Sequence, residues 1–236
     1  MKITTYKNLH QLTILGRIFP INCYVYEEPD SLTVIDIGTS LFCKHLIHLS
    51  KKLNKPIKNI LFTHPHSDHI SGLDDLKKRI PSVMVHLSER DYLLMKGNPS
   101  AATIDDLQIK GQFAKIDTEP DILITDGMTI GSLHAIATPG HTPGSMSFYN
   151  ENNGIIIVGD AMQTACGLAV AGDKRFFFPF PALATWNKEL AVDSAIKLSK
   201  LKINALAAGH GDLLINPKES ILMVIDRAGR KLRLTT

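Results

Sequence analysis

Cysteine is scarce in this chain. Three occur in 236 residues, Cys23, Cys43 and Cys166. Odd in number and far apart, they predict no disulfide, and none sits at a metal-ligand spacing. Each reads as a small buried apolar residue. Long apolar runs are missing too, and none approaches the ~20 residues that cross a bilayer. Met1-Lys2-Ile3-Thr4-Thr5 lacks the apolar core of an export signal, so the expectation is a cytoplasmic protein with no membrane partner. Charge of one sign is not concentrated anywhere. The net charge is +3 with no long basic run, which leaves no electrostatic footprint for nucleic acid. There is no Gly/Ser linker and no internal repeat. At 44% hydrophobic and 21% charged residues, the chain is expected to form one globular domain, residues 1–236, with ample core.

What is present is a knot of metal-capable side chains. Thr63-His64-Pro65-His66-Ser67-Asp68-His69 follows the apolar run Ile60-Leu61-Phe62. Imidazole nitrogens and carboxylate oxygens suit zinc and similar first-row ions. The apolar run reads as a buried strand, so the knot falls at a strand's C-terminal end, where open α/β sheets place ligand sites. His64 and His66, two apart in extended chain, point the same way. Asp68 and His69 project from the opening of a helix predicted from Ile70 to about Ile80.

Around the knot the periodicities alternate between strand and helix. Leu12–Leu15, Ile21–Tyr26 and 31–36 read as strands. Asp36, at the end of the third, fits a turn. Ser40 is placed to cap a helix whose apolar face is Phe42, Leu46, Leu49 and Leu53. His45 and His48 on that helix, His86 in a strand at 83–86 and His134 in a strand at 133–137 have no metal-capable companion and read as packing or surface residues. A helix is expected over 89–95. Residues 97–121 are irregular, either pocket wall or surface filler. Further strands are predicted at 128–130, 145–149 and 155–158, with turns at 131–132 and 150–154. Residues 161–187, with Arg175-Phe176-Phe177-Phe178-Pro179-Phe180-Pro181 and Trp186, read as an apolar wall beside a site, with Lys174 and Arg175 available to an anionic group. A helix from about Thr185 to Leu201 presents Ala191, Val192, Ala195 and Leu198. Asn216-Pro217-Lys218-Glu219 has the form of a capping box before a last helix burying Ile221, Leu222, Ile225 and Ala228. Pattern alone gives a mixed α/β domain.

His-x-His-x-Asp-His after a strand resembles the signature of the metallo-β-lactamase superfamily. Three further motifs follow in order: Thr138-Pro139-Gly140-His141-Thr142-Pro143-Gly144-Ser145, Ile155–Val158 ending in Gly159-Asp160, and Ala205–Ala208 ending in Gly209-His210. The resemblance spans roughly residues 12–212. It implies a four-layer αβ/βα sandwich, two mixed sheets face to face between helices. It also implies two divalent metal ions, zinc first and iron or manganese as alternatives. His64, His66 and His141 would hold one, Asp68, His69 and His210 the other, with Asp160 bridging and Asp36 supporting from outside. The implied activity is metal-dependent hydrolysis: a hydroxide held between the metals attacks the carbonyl of an ester, thioester or lactone, and Asp68 moves the proton to the leaving group.

The motifs look nearest to hydroxyacylglutathione hydrolases (glyoxalase II) and acyl-homoserine lactonases. Two departures leave the substrate open. Only 26 residues follow His210, too few for the basic C-terminal region usual in glyoxalase II. Ala161, Met162 and Gln163 stand where the lactonases carry a Tyr. With His69 and Asp160 present and no export signal, antibiotic hydrolysis is not expected as the main task. The partner is a small-molecule substrate, and homo-oligomerisation stays open. Three other functions compete: a mono-iron oxidoreductase like the persulfide dioxygenases, a nuclease, whose relatives carry further histidine motifs and long insertions not seen here, and a metal-binding module without turnover.

Overall fold

The computed structural model describes residues 1–16, 18–97 and 109–233. The first part of the chain forms β1 (Lys2–Tyr6), β2 (Leu9–Ile14), β3 (Ile21–Glu27), β4 (Leu32–Ile35), α1 (Leu41–Leu53), β5 (Ile57–Leu61), α2 (Ser67–Ile70), α3 (Leu73–Arg79), β6 (Met84–Ser88), α4 (Glu89–Met95) and β7 (Ile122–Ile124). The second part forms β8 (Thr129–Ile130), β9 (Leu133–Ala137), β10 (Met146–Asn150), β11 (Ile155–Gly159), β12 (Met162–Gln163), β13 (Ala169–Val170), α5 (Phe180–Leu183), α6 (Lys188–Ser199), β14 (Ala205–Ala208), β15 (Leu214–Ile215) and α7 (Lys218–Arg233).

Strands β1 to β7 lie in sequence order in one sheet; the other runs β15-β14-β11-β10-β9-β8. Both mix parallel and antiparallel pairs. Between the sheets lies a shared core, with Tyr24, Tyr26, Ile35 and Leu61 against Phe148, Ile155, Ile157 and Ala207. Outside the first sheet Val34, Ile60 and Val85 pack on Phe42 and Leu46 of α1 and on Leu73 and Leu76 of α3. Outside the second sheet Ile156, Val158 and Leu206 pack on α6 and α7 through Ala191, Leu198, Ile221 and Val224. Four layers result, helix, sheet, sheet, helix, because each central strand is apolar on both faces and each helix on one. This is the αβ/βα sandwich expected from the resemblance. No helix of the described residues is long and apolar enough to cross a membrane.

Register decides where the strand-end loops meet. β4 and β5 run parallel with Ile35 opposite Leu61, so Asp36 and Thr63 emerge side by side. β11 and β14 run parallel with Gly159 opposite Ala208, so Asp160 and His210 do the same. The sheets are stitched together at this edge. Met146 N donates to Thr63 O at 2.8 Å, Asn22 N to Gly209 O at 3.0 Å, and Tyr24 Oη to Ala208 O at 2.7 Å.

Several elements differ from the sequence reading. β1 and β7 were not expected. β1 is an edge strand whose faces are both largely exposed, so it lacks apolar alternation. The helix expected over 70–80 is two helices, α2 beginning at Ser67 and α3 at Leu73. The break falls at Gly72, whose N–H donates to Ile37 O at 2.9 Å. Ser40 sits in the helical region and makes no side-chain cap; Thr39 Oγ1 accepts from Leu41 N instead, at 3.2 Å. The α6 cap is Asn187, which accepts from Glu189 N and Leu190 N. Asn216 has φ 49°, the left-handed region and not the extended one of a capping residue. Leu222 is half exposed, and Val224 takes its place in the α7 interface. Cys23 and Cys43 are buried and free, whereas Cys166 is exposed, in a left-handed turn at φ 56°. Residues 98–108, part of the expected irregular stretch, lie outside the described residues.

Gly159 ends β11 at φ 51°, and a Cβ there would lie 2.3 Å from Thr63 Oγ1 and 2.5 Å from Thr63 Cβ. Backbone preference and sheet contact both require glycine. Gly159→Ala is expected to cost about 2–4 kcal/mol in denaturant unfolding; a loss under ~0.5 kcal/mol would show that the two sheets do not press together here.

Candidate metal centre

Seven side chains from four strand-end segments converge at the stitched edge. His64 and His66 follow β5, Asp68 and His69 stand on α2, His141 lies between β9 and β10, and Asp160 and His210 follow β11 and β14. One potential ligand atom from each member falls within 4.8 Å of its companions in three overlapping groups: His64, His66 and His141; Asp68, His69 and His210; and His64, His69 and Asp160. The Asp160 carboxylate spans the first two groups, with Oδ2 3.5 Å from His141 Nε2 and 3.3 Å from His210 Nε2, and Oδ1 3.6 Å from His69 Nε2. His45 and His48 lie exposed on α1 and His134 bonds Thr129 Oγ1, all away from this cluster. His86 is buried, and its Nε2 donates to Asn59 Oδ1 at 3.0 Å.

Each histidine is anchored by its outward nitrogen. His69 Nδ1 donates to Asp36 Oδ2 at 2.8 Å, His210 Nδ1 to Pro20 O at 2.6 Å, and His66 Nε2 to Lys110 O at 3.0 Å. Thr63 Oγ1 donates to Asp36 Oδ2, so it accepts from His64 Nδ1 at 3.1 Å. Thr185 Oγ1 donates to Pro181 O, so it accepts from His141 Nδ1 at 3.3 Å. With the outward nitrogens of His64, His66 and His141 protonated, their inward nitrogens present lone pairs. His66 Nδ1 and His141 Nε2 face each other at 3.0 Å. His64 Nε2, His69 Nε2 and Asp160 Oδ1 are buried with no hydrogen-bond partner. Buried polar atoms rarely stay unpaired, and the converging lone pairs of His64, His66 and His141 repel unless a cation lies between them. The donor set therefore fits divalent metal ions, with the outward anchors that hold ligand imidazoles in tautomer and orientation.

The electrostatics split the cluster. Burial pushes His64, His66 and His141 below the ordinary imidazole value, His141 to about 3, so all three are neutral. Burial opposes charge on His69 and His210 as well. There the carboxylates win: Asp160, Asp68 and Asp36 hold His69 at about 9, and Asp160 with Asp68 holds His210 at about 10. Asp68 is buried against ionisation, yet the two imidazoliums draw it down to about 2; Asp160 is drawn below its ordinary value by the same pair.

Other contributors left little trace in the sequence. Asp36, a turn residue by local pattern and a support of the centre by resemblance, binds Thr63 N at 2.8 Å and Thr63 Oγ1 at 2.7 Å as well as His69. The Lys110–Ala114 segment straps the metal loop: Ser67 N donates to Gln112 O and Ala114 N to Pro65 O. A Cβ on Gly111, at φ 80°, would lie 2.2 Å from His66 Nε2, so only glycine admits the ring there. Trp186 is buried, and its backbone N–H donates to His141 O at 3.0 Å. Arg175 is bound to Cys166 O and faces no substrate cleft. Asp91, in the first turn of α4, reads from sequence as a routine acidic helix start. Fully buried, it accepts from Thr142 Oγ1 and Gly144 N, both at 2.7 Å, and so fixes the loop carrying His141.

A cavity of about 220 Å3 opens over the cluster, lined by Asp68, His141, Asp160 and His210, by Ser67, Gly111 and Gln112, and by Phe19, Phe180, Pro181 and Ala184. Of the aromatic stretch, then, Phe180 and its neighbours face the site, Phe178 backs His210, and Phe176 and Phe177 project outward.

The model of the metallo-beta-lactamase superfamily matches residues 16–210. Among curated proteins, the uncharacterized protein YobT of Bacillus subtilis is 46% identical over 97% of this chain and 99% of its own. The hydroxyacylglutathione hydrolase GloC of Haemophilus influenzae is 28% identical, covering 82% of this chain and 86% of its own. Among solved structures, the B3 metallo-beta-lactamase BLEG-1 superposes with a TM-score of 0.64 at 27% identity, over 89% of this chain and 95% of that one.

Burial raises Asp91 to about 6 from an ordinary 3.8, against the pull of its two donors. The folded chain thus keeps this proton longer than the unfolded one, and the group's contribution to stability falls as pH rises from about 4 to about 6, then levels. Relative to Asp91→Asn, the wild type should lose on the order of 2 kcal/mol between pH 4.5 and 7.5 in denaturant unfolding; a pH-independent difference would contradict this.

Proposed function

The chain belongs to the metallo-beta-lactamase superfamily, and on that premise we propose that it is a dinuclear metallohydrolase cleaving an ester, thioester or lactone of a small molecule. The observation that supports this best is the inward convergence of buried donors whose outward atoms are all engaged. His64, His66 and His141 would hold one cation and Asp68, His69 and His210 the other, with Asp160 spanning both. Zinc suits this imidazole and carboxylate set, as do iron and manganese. When bound, a cation pair brings the deprotonation of water towards neutral pH and polarises a carbonyl oxygen.

The chain's own groups do the rest. Asp160 is sealed at 4% side-chain exposure, whereas Asp68 is 25% exposed and opens onto the cleft. Asp68 can therefore take a proton from water and hand it to a departing oxygen or sulfur. Its Oδ2 lies 3.3 Å from His210 Nε2, which fixes the carboxylate for both transfers. Asp36 holds His69 and the Thr63 backbone in one geometry, so the ligand atoms need no rearrangement to act. Phe19, Phe180 and Pro181 keep bulk water from one side of the cleft.

The protein purified with its native metal should contain close to two metal ions per chain by elemental analysis. A panel of lactones, acylthioesters and aryl esters should be turned over, with activity abolished by chelation and by His66→Ala or Asp160→Ala. Asp36→Ala should weaken metal binding by about 10–100-fold while the chain stays folded. Turnover surviving chelation and both substitutions would refute the mechanism, and a single iron with oxygen uptake on glutathione persulfide would replace it by an oxidoreductase.

A further inference from the structure

The cleft has two unlike sides. Five of the candidate ligands, His66, Asp68, His141, Asp160 and His210, form its floor. One wall is apolar, built by Phe19, Phe180, Pro181 and Ala184. That wall is held rigid from behind. The rings of Phe19, Phe178 and Phe180 touch pairwise at centroid distances of 5.0–5.3 Å, and Phe19 and Phe178 both pack on the His210 ring, at 5.1 and 5.3 Å. Gln163 Nε2 donates to Phe178 O at 3.2 Å and pins the segment. Phe178 is sealed, but Phe180 keeps 48% of its surface exposed at the cleft mouth. An aromatic ring fixed in place and open towards a polar floor is a surface with unfilled apolar contact.

The cleft also lacks positive side chains: among its described lining residues there is no lysine or arginine. Arg175 is occupied by Cys166 O, and Arg227 by Asp173. Among the described lining residues an anionic substrate tail meets no lysine or arginine.

Resting on the hydrolase reading, we propose that the substrate is a neutral ester or lactone with an unbranched apolar acyl chain and an uncharged leaving group, and that Phe19 and Phe180 select it. The acyl carbonyl is the atom the ligand cluster must reach. The chain attached to it starts at the cluster and runs outward over Phe19 and Phe180. A thioester of glutathione, whose leaving group carries two carboxylates, fits this wall poorly.

Binding tests this without relying on turnover. Acetate, butyrate, hexanoate and octanoate are titrated calorimetrically into the protein purified with its native metal. A methylene gains up to about fourfold in affinity on full burial, and about twofold on a wall open on one side. Octanoate should therefore bind about 30-fold or more tightly than acetate, and Phe180→Ala should shrink that ratio about tenfold. Phe180 is half exposed, so a thermal melt should show the variant folded. The neutral thioether S-octyl-N-acetylcysteamine should bind at least about tenfold tighter than S-octylglutathione. Equal affinity for acetate and octanoate, an unchanged ratio in folded Phe180→Ala, or preference for the glutathione thioether would overturn the proposal. Chain-length-dependent binding in a protein that hydrolyses none of the panel would uphold the wall's selectivity and refute the hydrolase reading alone.

Discussion

The Asp36 carboxylate sits where fold and site become one problem. It ends β4, lies beside the end of β5, and binds Thr63 N, Thr63 Oγ1 and His69 Nδ1 within 2.7–2.8 Å. Its backbone lies at φ 57°, in the left-handed region that aspartate enters more readily than most residues, and these bonds constrain it there. Thr63 passes the constraint on, because its hydroxyl orients His64 and its carbonyl accepts from Met146 N of the opposite sheet. One buried carboxylate thereby fixes two ligand histidines and the contact between sheets. Parallel pairing of β4 with β5 and of β11 with β14 makes this geometry available, since it sends Asp36 and Thr63, and Asp160 and His210, out at the same edge.

The cluster's charge follows from the same layout. Burial keeps three imidazoles neutral, even with His141 Nε2 3.5 Å from Asp160, while the two that face both Asp68 and Asp160 are charged. Two imidazoliums set against the carboxylates of Asp36, Asp68 and Asp160 offset much of the buried charge, which is how so many ionisable groups coexist under little solvent. The balance is incomplete on the neutral side, where lone pairs oppose each other at 3.0 Å. A divalent cation relieves that repulsion and, at the other triad, replaces protons.

Much of this was legible in the sequence, and what was not had physical reasons. The apolar runs at 21–26, 60–62, 155–158 and 205–208 declared central strands because both faces are buried. The ligand histidines declared themselves by clustering or by following such runs. The anchors did not. Pro20 and Lys110 contribute carbonyl oxygens, which every residue has. Thr185 and Asp91 act from helix ends where such residues are routine. Phe19, Phe178 and Phe180 meet only because the β2–β3 turn folds against the segment after β13, a proximity without local signature. The helix break at Gly72 and the exposed edge strand β1 escaped because tertiary contact, not periodicity, decides them.

The central claim is that these seven side chains were assembled to grip a pair of cations, and anomalous diffraction from crystals of the native protein, recorded at the metal's absorption edge, tests it most directly. The account predicts two separate peaks, one against His64 Nε2, His66 Nδ1 and His141 Nε2, the other against Asp68, His69 Nε2 and His210 Nε2, with the Asp160 carboxylate touching both. No anomalous density at this edge of the sandwich, or histidine rings turned so that their anchored nitrogens face inward, would contradict it.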